Sequence, residues 1–257
     1  SQLSNDLKVF DSYFTVSERL KGILTNSFRL QSDKVCVLRN YPKSEHFTIE
    51  KKKLKLDNTK PNIIIFNSIY HTDNLKFNLE IIKKLQAKYN FNIIIDLKKF
   101  NIFHNINLEK YIKEKDIKLK IFDNFFRYED LISNLKNFDL VWSFLDGKKK
   151  LNSLVSLPNR VFDSYAAQIP IIQMEGCPEI SNFILKNKTG EIYKYQSIDD
   201  LNNKINKVLS QKKNYFLSKK YDWENEFSYF NKNFLSKKID VNTCAIVAFK
   251  DLNKNRR

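Results

Sequence analysis

Short apolar runs alternate with amphipathic stretches from Pro61 to Leu209. The runs are apolar on successive positions, as strands buried on both faces are. The stretches between them place an apolar residue every three or four positions, as helices with one buried face do. The pattern predicts strands at 62–66, 91–96, 117–122, 139–144, 171–172 and 190–193, and helices at 74–89, 108–115, 128–137, 158–169, 178–186 and 198–209. This alternation is typical of the α/β fold class. It predicts a doubly wound, mostly parallel, Rossmann-like sheet covered by helices on both faces.

The whole chain divides into segments that differ in composition. The predicted boundaries are 1–42, 43–60, 61–212, 213–234 and 235–257. The first segment has two short β-like runs around a helix that begins at Ser17, and the second is polar without an apolar period, which is typical of a linker. The fourth is rich in aromatic residues and predicts one more helix. The last is basic, with one apolar patch from Cys244 to Phe249, and we expect it to be peripheral and weakly ordered.

Residues 156–172 combine a structural pattern with candidate chemistry. Pro158 fits the first turn of a helix, where the missing N–H needs no partner, and Pro170 ends that helix before a short apolar strand. In an open α/β sheet, ligands bind at the carboxyl ends of the strands, beside helix N-termini whose free N–H groups suit phosphate. The polar residues on the first turns, Asn159, Arg160 and Asp163, are therefore candidates for a binding site.

The charge balance predicts an anionic partner. The chain has 45 Lys and Arg residues against 29 Asp and Glu residues, a formal net charge of +16. This excess attracts nucleotides, anionic lipid head groups or nucleic acid, and it does not choose among them. Part of it also fits a drift of composition toward AT-rich codons. Hydrophobic residues make up 42% of the chain, enough for a substantial core, so global disorder is not expected.

Several function classes are disfavoured by what the sequence lacks. Four glycines leave no G-x-G-x-x-G or Walker loop, and neither a D-x-D motif nor a His/Cys cluster suggests a metal. Three cysteines without a C-x-x-C spacing fit a reducing compartment. No signal peptide and no apolar run near the length of a membrane span occur in the sequence. Because the first residue is Ser1 rather than Met, we expect a processed product or a fragment.

The stretch from Pro158 to Ile172 reads P-N-R-V-F-D-S-Y-A-A-Q-I-P-I-I. It resembles the pattern P-N-K-x-[FY]-[ED]-Y-x-A-x-G-x-P-[VI]-[IV] in the C-terminal, nucleotide-sugar-binding half of group 1 GT-B glycosyltransferases. Further similarities follow in order along roughly residues 10–233. Residues 14–18 and 37–42 are similar to the end of the first domain and the crossover to the second. Residues 176–180 are similar to the family's G-G-x-x-E-[IV] motif, and residues 187–190 to its G-x-x-G turn. Residues 221–224 are similar to the late helix that returns toward the first domain.

The resemblance implies an enzyme that transfers a sugar from a nucleotide diphosphate sugar to a glycan or lipid-linked acceptor in surface polysaccharide synthesis. It implies that 1–42 ends the first domain and crosses over, that 43–60 is a linker, and that 61–212 binds the donor. It implies a return helix at 213–234, before the basic tail at 235–257. It also implies a cytoplasmic location, with the inner face of the membrane as an option, and a reaction that needs no cofactor or metal. The acceptor domain, with any catalytic base, is absent from the resembling part, so catalytic residues stay unknown.

The resemblance also assigns donor-binding roles by position. Asp163 stands where the family's acidic residue bonds the ribose hydroxyls, and a carboxylate can accept both bonds of a diol. The loop that includes Ser156, Leu157 and Asn159 stands where helix N-terminal amides meet the diphosphate, and Arg160 could add a charge-assisted contact. The chain departs from one form of the family at 155, where Val155 replaces a glutamate.

Five further residues complete the predicted donor site. Asn67 and Ser68 lie where the family has a phosphate-facing loop, although 69–74 holds no Arg or Lys. Phe126 and Arg127 lie where the base sits. Glu179 falls in a family position to which the sequence assigns no role.

Two other functions stay open. The chain could be a non-catalytic, glycosyltransferase-like partner subunit that docks another chain. Its charge could also mark a basic nucleic-acid-binding protein, but no nucleic-acid motif supports this, and no nucleic acid is expected as a partner. The lysine runs 51–53 and 148–150 are solvated faces in the simpler interpretation, with an anionic membrane surface as the functional alternative.

Overall fold

The structure is a computed structural model that describes residues 12–66, 75–123, 127–143, 145–146, 151–216, 221–234 and 244–246. These residues contain the strands β1 Ser12–Thr15, β2 Val35–Val37, β3 Asn62–Phe66, β4 Asn90–Ile95, β5 Leu119–Asp123, β6 Leu140–Ser143, β7 Ile171–Met174, β8 Gly190–Tyr193 and β9 Cys244–Ile246. Their helices are α1 Glu18–Ser27, α2 Leu75–Leu85, α3 Leu97–His104, α4 Leu108–Glu114, α5 Tyr128–Leu135, α6 Leu151–Val155, α7 Asn159–Ala167, α8 Pro178–Asn187, α9 Ile198–Ser210 and α10 Trp223–Asn233.

The larger sheet has six parallel strands in the order β5-β4-β3-β6-β7-β8. Counted from β3, this is the doubly wound order 3-2-1-4-5-6, and the direction of winding reverses between β3 and β6. The predicted α/β fold class and the doubly wound, mostly parallel sheet are confirmed. Ligand sites of such sheets lie beside this reversal, at the carboxyl ends of the strands.

The core lies in two layers because successive side chains of a strand point to opposite faces. Ile63 and Ile65 of β3 pack with α2 and α9, whereas Ile64 between them packs with α5, α7 and α8. All three side chains are buried. Residues buried on both faces explain why these strands are continuously apolar in the sequence.

The polar segment 43–60 lies against α5. Phe47 is buried in the same core layer as α5 and α7. Ser133 Oγ accepts a hydrogen bond from Lys52 N at 2.8 Å, and Asn137 Oδ1 accepts one from Leu54 N at 3.2 Å. Side chains of α5 and of the turn that follows it thus satisfy the backbone of a segment that has no regular structure of its own beyond a short 3-10 turn at Ser44–Thr48.

The smaller sheet has three parallel strands in the order β2-β1-β9. Tyr13 of β1 packs with Leu24 of α1 and with Val35, whereas Phe14 on the opposite face contacts Phe230 of α10 at a ring-centroid distance of 5.4 Å. Three residues of the segment expected to be weakly ordered, Cys244–Ile246, form β9. Pairing with β1 is a long-range interaction that an isolated apolar patch does not reveal.

The aromatic segment is not one continuous helix, so that expectation was wrong. A 3-10 turn at Lys212–Asn214 is followed by Phe216, whose positive φ of 63° is incompatible with a right-handed helix. The helix α10 begins only at Trp223, where the Asp222 side chain accepts a hydrogen bond from Asn225 N at 2.8 Å. This N-cap is the local signal for the later start.

Two shorter helices, α3 and α6, were not predicted. The first is explained by its N-cap, because the Asp96 side chain accepts a hydrogen bond from Lys99 N at 2.9 Å. None of the described helices is long and apolar enough to cross a membrane.

Two glycines give a matched test of the packing. A Cβ on Gly190 would lie 1.8 Å from the backbone oxygen of Ile171, whereas one on Gly22 would meet nothing within 4 Å. We expect Gly190→Ala to lower the free energy of unfolding by about 3 kcal/mol or more, because β7 and β8 must separate. Gly22→Ala, inside α1, should raise it by up to about 1 kcal/mol. Urea unfolding of both variants measures this, and equal effects would contradict the register of β7 with β8.

Candidate functional site

A pocket of about 520 Å³ lies between residues 40–46 and the helices α5, α7 and α10. Three helices begin at its wall, because Tyr128, Asn159 and Trp223 are the first residues of α5, α7 and α10. The N-terminal end of a helix carries unpaired N–H groups and a partial positive charge, so this arrangement favours an anionic or hydroxyl-rich ligand. The volume falls within the range of small-molecule pockets.

The first turn of α7 has no side-chain cap. Its N-cap is Pro158, which has no hydrogen-bonding side chain, and no acidic residue lies in the first turn. By contrast, Asp222 caps α10. The amides at the start of α7 are therefore the donors that a ligand could use.

Asp163 is the fifth residue of α7 and lines the pocket with only 5% of its surface exposed. Burial raises the pKa of its carboxyl group to about 7, because the charged form loses solvation. A hydrogen bond from the Tyr128 hydroxyl and the charge of Arg160 oppose this rise. Asp163 therefore changes its charge near neutral pH, and a perturbed carboxyl group in a cleft is a candidate functional group.

Arg160 is partly buried and interacts electrostatically with Asp163 and with Cys177. Its Nε atom is buried, and burial lowers the pKa of the guanidinium to about 10, although the two neighbours raise it. The side chain remains a cation at neutral pH. It does not line the pocket that Asp163 lines. Its positive charge stabilises the ionised form of Asp163, whereas the predicted phosphate contact stays a prediction.

His46 and Tyr128 form an aromatic wall beside Asp163. Their ring centroids lie 4.6 Å apart in an edge-to-face arrangement. His46 Nδ1 accepts a hydrogen bond from Lys43 N at 3.1 Å, which fixes the ring on the 3-10 turn of residues 44–48. Aromatic faces next to hydroxyl and carboxylate groups suit a ligand with both a flat apolar face and hydroxyl groups.

Sequence reasoning placed Asp163 and Asn159 in the site, and the structure brings them together. Asn159 Oδ1 accepts a hydrogen bond from Asn40 Nδ2 at 3.2 Å, so the segment that follows β2 touches the start of α7. It missed Asn40, His46, Tyr128 and Trp223. For Tyr128 and Trp223 the available signal was the start of each helix, since first-turn residues of neighbouring helices can share one wall.

Other predicted residues lie elsewhere. The Leu157 side chain is buried in the core, and Ser156 is partly exposed. Arg127 is exposed and immediately precedes α5. The Glu179 carboxylate accepts a hydrogen bond from Arg19 N at 3.2 Å, at the start of α1.

Three predicted residues, Asn67, Ser68 and Phe126, lie outside the described residues. Each donor-binding role assigned from the sequence, including that of Glu179, stays a prediction.

The end of α6, just before the loop that leads to α7, contacts the start of α1. Ser17 caps α1 by accepting a hydrogen bond from Leu20 N at 3.1 Å, and its hydroxyl also donates to the Val155 carbonyl oxygen. Two hydrogen bonds described above add to this contact. The one from Asn40 reaches the start of α7, and the one from Arg19 N reaches Glu179 at the start of α8. Among the described residues, no three His, Cys, Asp or Glu side chains converge as a metal site would require.

No family sequence model and no curated protein sequence matches the chain. Solved structures do. A glycosyltransferase from Rickettsia africae ESF-5 aligns with a TM-score of 0.59 and 16% identity, over 87% of this chain and 59% of that one. The lipopolysaccharide outer core galactosyltransferase WaaB, in its apo form, aligns with a TM-score of 0.53 and 15% identity. The alignment covers 89% of this chain and 62% of that one.

A trehalose-6-phosphate synthase, studied for glycosyl transfer with retention, gives a TM-score of 0.59 and 12% identity, over 90% of this chain and 60% of that one. The chain therefore spans about three fifths of the length of these solved structures. Its fold is the Rossmann-like α/β fold of GT-B glycosyltransferases.

The buried carboxylate predicts a specific dependence of stability on pH. Because the pKa of Asp163 rises from 3.8 to about 7 on folding, the folded state binds the proton more tightly. Stability contributed by protonation is present below about pH 4 and is lost as the pH rises through about 7. At pH 8, Asp163→Asn should therefore raise the free energy of unfolding by about 2 to 4 kcal/mol, and the gain should vanish near pH 4. Urea unfolding of both proteins across this range is the measurement, and parallel pH curves would contradict the assignment.

Proposed function

We propose that this chain is the donor-binding part of a glycosyltransferase that uses a nucleotide diphosphate sugar. The observation that carries the proposal is the buried carboxylate of Asp163, which lines a pocket where three helices begin. The likeness of the fold to glycosyltransferases supports it. The proposed acceptor is a glycan or a lipid-linked glycan of a surface polysaccharide, acted on from the cytoplasmic side of the membrane.

In the proposed complex, the nucleoside end of the donor occupies the pocket. Asp163 accepts hydrogen bonds from the two ribose hydroxyls, which compensates the cost of ionising a buried carboxylate. The rings of His46 and Tyr128 offer apolar faces next to it. To reach both carboxylate oxygens, the ribose must compete with the hydroxyl of Tyr128.

The diphosphate is proposed to lie at the uncapped start of α7. Transfer of the sugar breaks the bond to the diphosphate, and negative charge develops on the leaving oxygen. Preorganised amide N–H groups stabilise such charge, so the proposed chemistry needs no metal or other cofactor. Lys43 also lines the pocket, and its ammonium group, 3.3 Å from the Glu45 carboxylate, could turn to the diphosphate.

The acceptor class rests on the comparison with similar folds. WaaB is described as a lipopolysaccharide outer core galactosyltransferase, and its fold is similar to that of this chain. Because the chain spans only about three fifths of the solved structures that it matches, we assign to it the donor-binding role and not the complete reaction.

One observation favours a second candidate, a non-catalytic glycosyltransferase-like partner subunit. Asp163 is already hydrogen-bonded by Tyr128 and lies near the positive charge of Arg160. A carboxylate that these two groups satisfy permanently would stabilise a scaffold and would not bind a diol.

A nucleotide screen separates the two candidates. Saturation-transfer NMR with UDP, GDP, CDP and their common sugars should detect binding of one nucleotide series. Asp163→Asn should weaken that binding by about tenfold or more, because a charged acceptor is lost. The matched control is Asp199→Asn, an exposed aspartate on the first turn of α9, which should bind as the unchanged chain does. Binding of no nucleotide by the folded chain would favour the partner subunit.

Nucleotide affinity should also depend on pH. With a pKa of about 7, the ionised fraction of Asp163 rises about tenfold between pH 6 and pH 8, and only the ionised form accepts hydrogen bonds at both oxygens. The dissociation constant should fall by up to about tenfold over this range and should stay flat in Asp163→Asn. Calorimetric titrations at four pH values measure it. The same pH dependence in the variant would assign the effect to another group.

A further inference from the structure

The helix α3 presents an exposed face that carries two large apolar and two basic residues. Among the large hydrophobic side chains of the described residues, Ile102 is the most exposed, at 73%. Phe103, at 62%, ranks third, just after Tyr229. Lys98 and Lys99 are also exposed. The opposite side of the helix holds the buried Phe100 in the core.

Helical geometry places these four side chains together. Lys98 lies four residues before Ile102, and Lys99 lies four residues before Phe103, so each lysine neighbours one apolar residue on the same face. The sequence Leu97–His104 contains no acidic residue. Neither lysine forms an ion pair with any described residue, so both charges remain available on the surface.

Two acidic groups at the start of α3 are engaged with the backbone. Asp96 accepts a hydrogen bond from Lys99 N, and Asp123 accepts one from Leu97 N at 2.8 Å. Both therefore lie at the N-terminal end of α3, one turn away from Ile102 and Phe103. The exposed face itself is apolar and basic.

We propose that this face of α3 docks on an anionic lipid bilayer. Ile102 and Phe103 would enter the boundary between head groups and acyl chains, while Lys98 and Lys99 would meet the anionic head groups. This combination of an apolar face and flanking lysines is the one that interfacial helices use. The overall charge of +16 adds attraction over a longer range.

Charge argues for a bilayer over a second copy of the chain. Two copies joined through this face would bring four lysines together without acidic partners, and two apolar residues on each side bury far less surface than a stable dimer needs. The exposed aromatic residues of α10 differ, because Glu224 lies on the same helix as Phe227 and Tyr229 and disfavours an anionic surface.

The inference stands on the surface of α3 and does not depend on the donor pocket. A chain that binds vesicles but no nucleotide would support the docking face and contradict the proposed function. The converse result would overturn the docking face alone.

The test is co-sedimentation of the full chain with vesicles of phosphatidylglycerol mixed with phosphatidylcholine, and with vesicles of phosphatidylcholine alone. We expect binding to the anionic vesicles. The double variant Ile102→Asn, Phe103→Asn should lower the partition constant by about tenfold or more. The control Leu185→Asn removes an isolated apolar residue that is 61% exposed on α8, and it should change binding by less than about twofold.

A second pair of variants separates this face from diffuse charge. Lys98→Glu with Lys99→Glu should abolish sedimentation with anionic vesicles. The double variant Lys83→Glu, Lys84→Glu makes the same change in net charge at an exposed pair on α2. It should retain most of the binding to anionic vesicles. Thermal unfolding monitored by circular dichroism verifies that each variant is folded.

Several outcomes would overturn the proposal. They are failure of the unchanged chain to bind anionic vesicles, equal losses in the two lysine pairs, and undiminished binding of the Ile102→Asn, Phe103→Asn variant. A dimer in solution that this double variant dissociates would also overturn it, because a second copy would then be the occupant.

Discussion

The buried carboxylate of Asp163 is the interaction on which the candidate site depends. A carboxylate removed from water is costly, and it persists only where hydrogen bonds and an opposite charge compensate it. Here Tyr128 and Arg160 do so incompletely, because the pKa remains raised to about 7. The sequence therefore maintains a group that disfavours folding at alkaline pH, and such groups cluster where function requires them. A ligand with a diol would complete the compensation that the protein leaves partial.

The walls around Asp163 come from parts of the chain that are far apart in sequence. Trp223 N donates a hydrogen bond to Pro42 O at 2.9 Å, and Tyr221 N donates one to the Tyr165 hydroxyl at 2.9 Å. The Glu226 carboxylate accepts a hydrogen bond from Arg39 N at 3.0 Å. Residues 39–46 are thus held between α7 and α10, and α10 in turn packs on the smaller sheet through Phe230.

Much of the larger sheet could be predicted from the sequence because its signal is local. The apolar run around Ile64 and the helix between Pro158 and Pro170 each have a recognisable local pattern. The place of Asp163 near the start of that helix made it a candidate for the site. The rest depends on long-range contacts. The strand β9 exists only where β1 offers an edge, and His46 reaches the pocket only because the polar segment 43–60 lies on α5. The pKa of Asp163 likewise follows from burial, which no local pattern reveals.

The most direct test of the central claim is the titration of Asp163 itself. The carboxyl carbon can be followed by NMR in the chain labelled with carbon-13 at aspartate and assigned with Asp163→Asn, first alone and then with the nucleotide that binds. The account predicts a pKa of about 7 in the free chain, and a clear fall when the nucleotide is bound, because ribose hydroxyls stabilise the charged form. A pKa near 4 that the nucleotide leaves unchanged would contradict it.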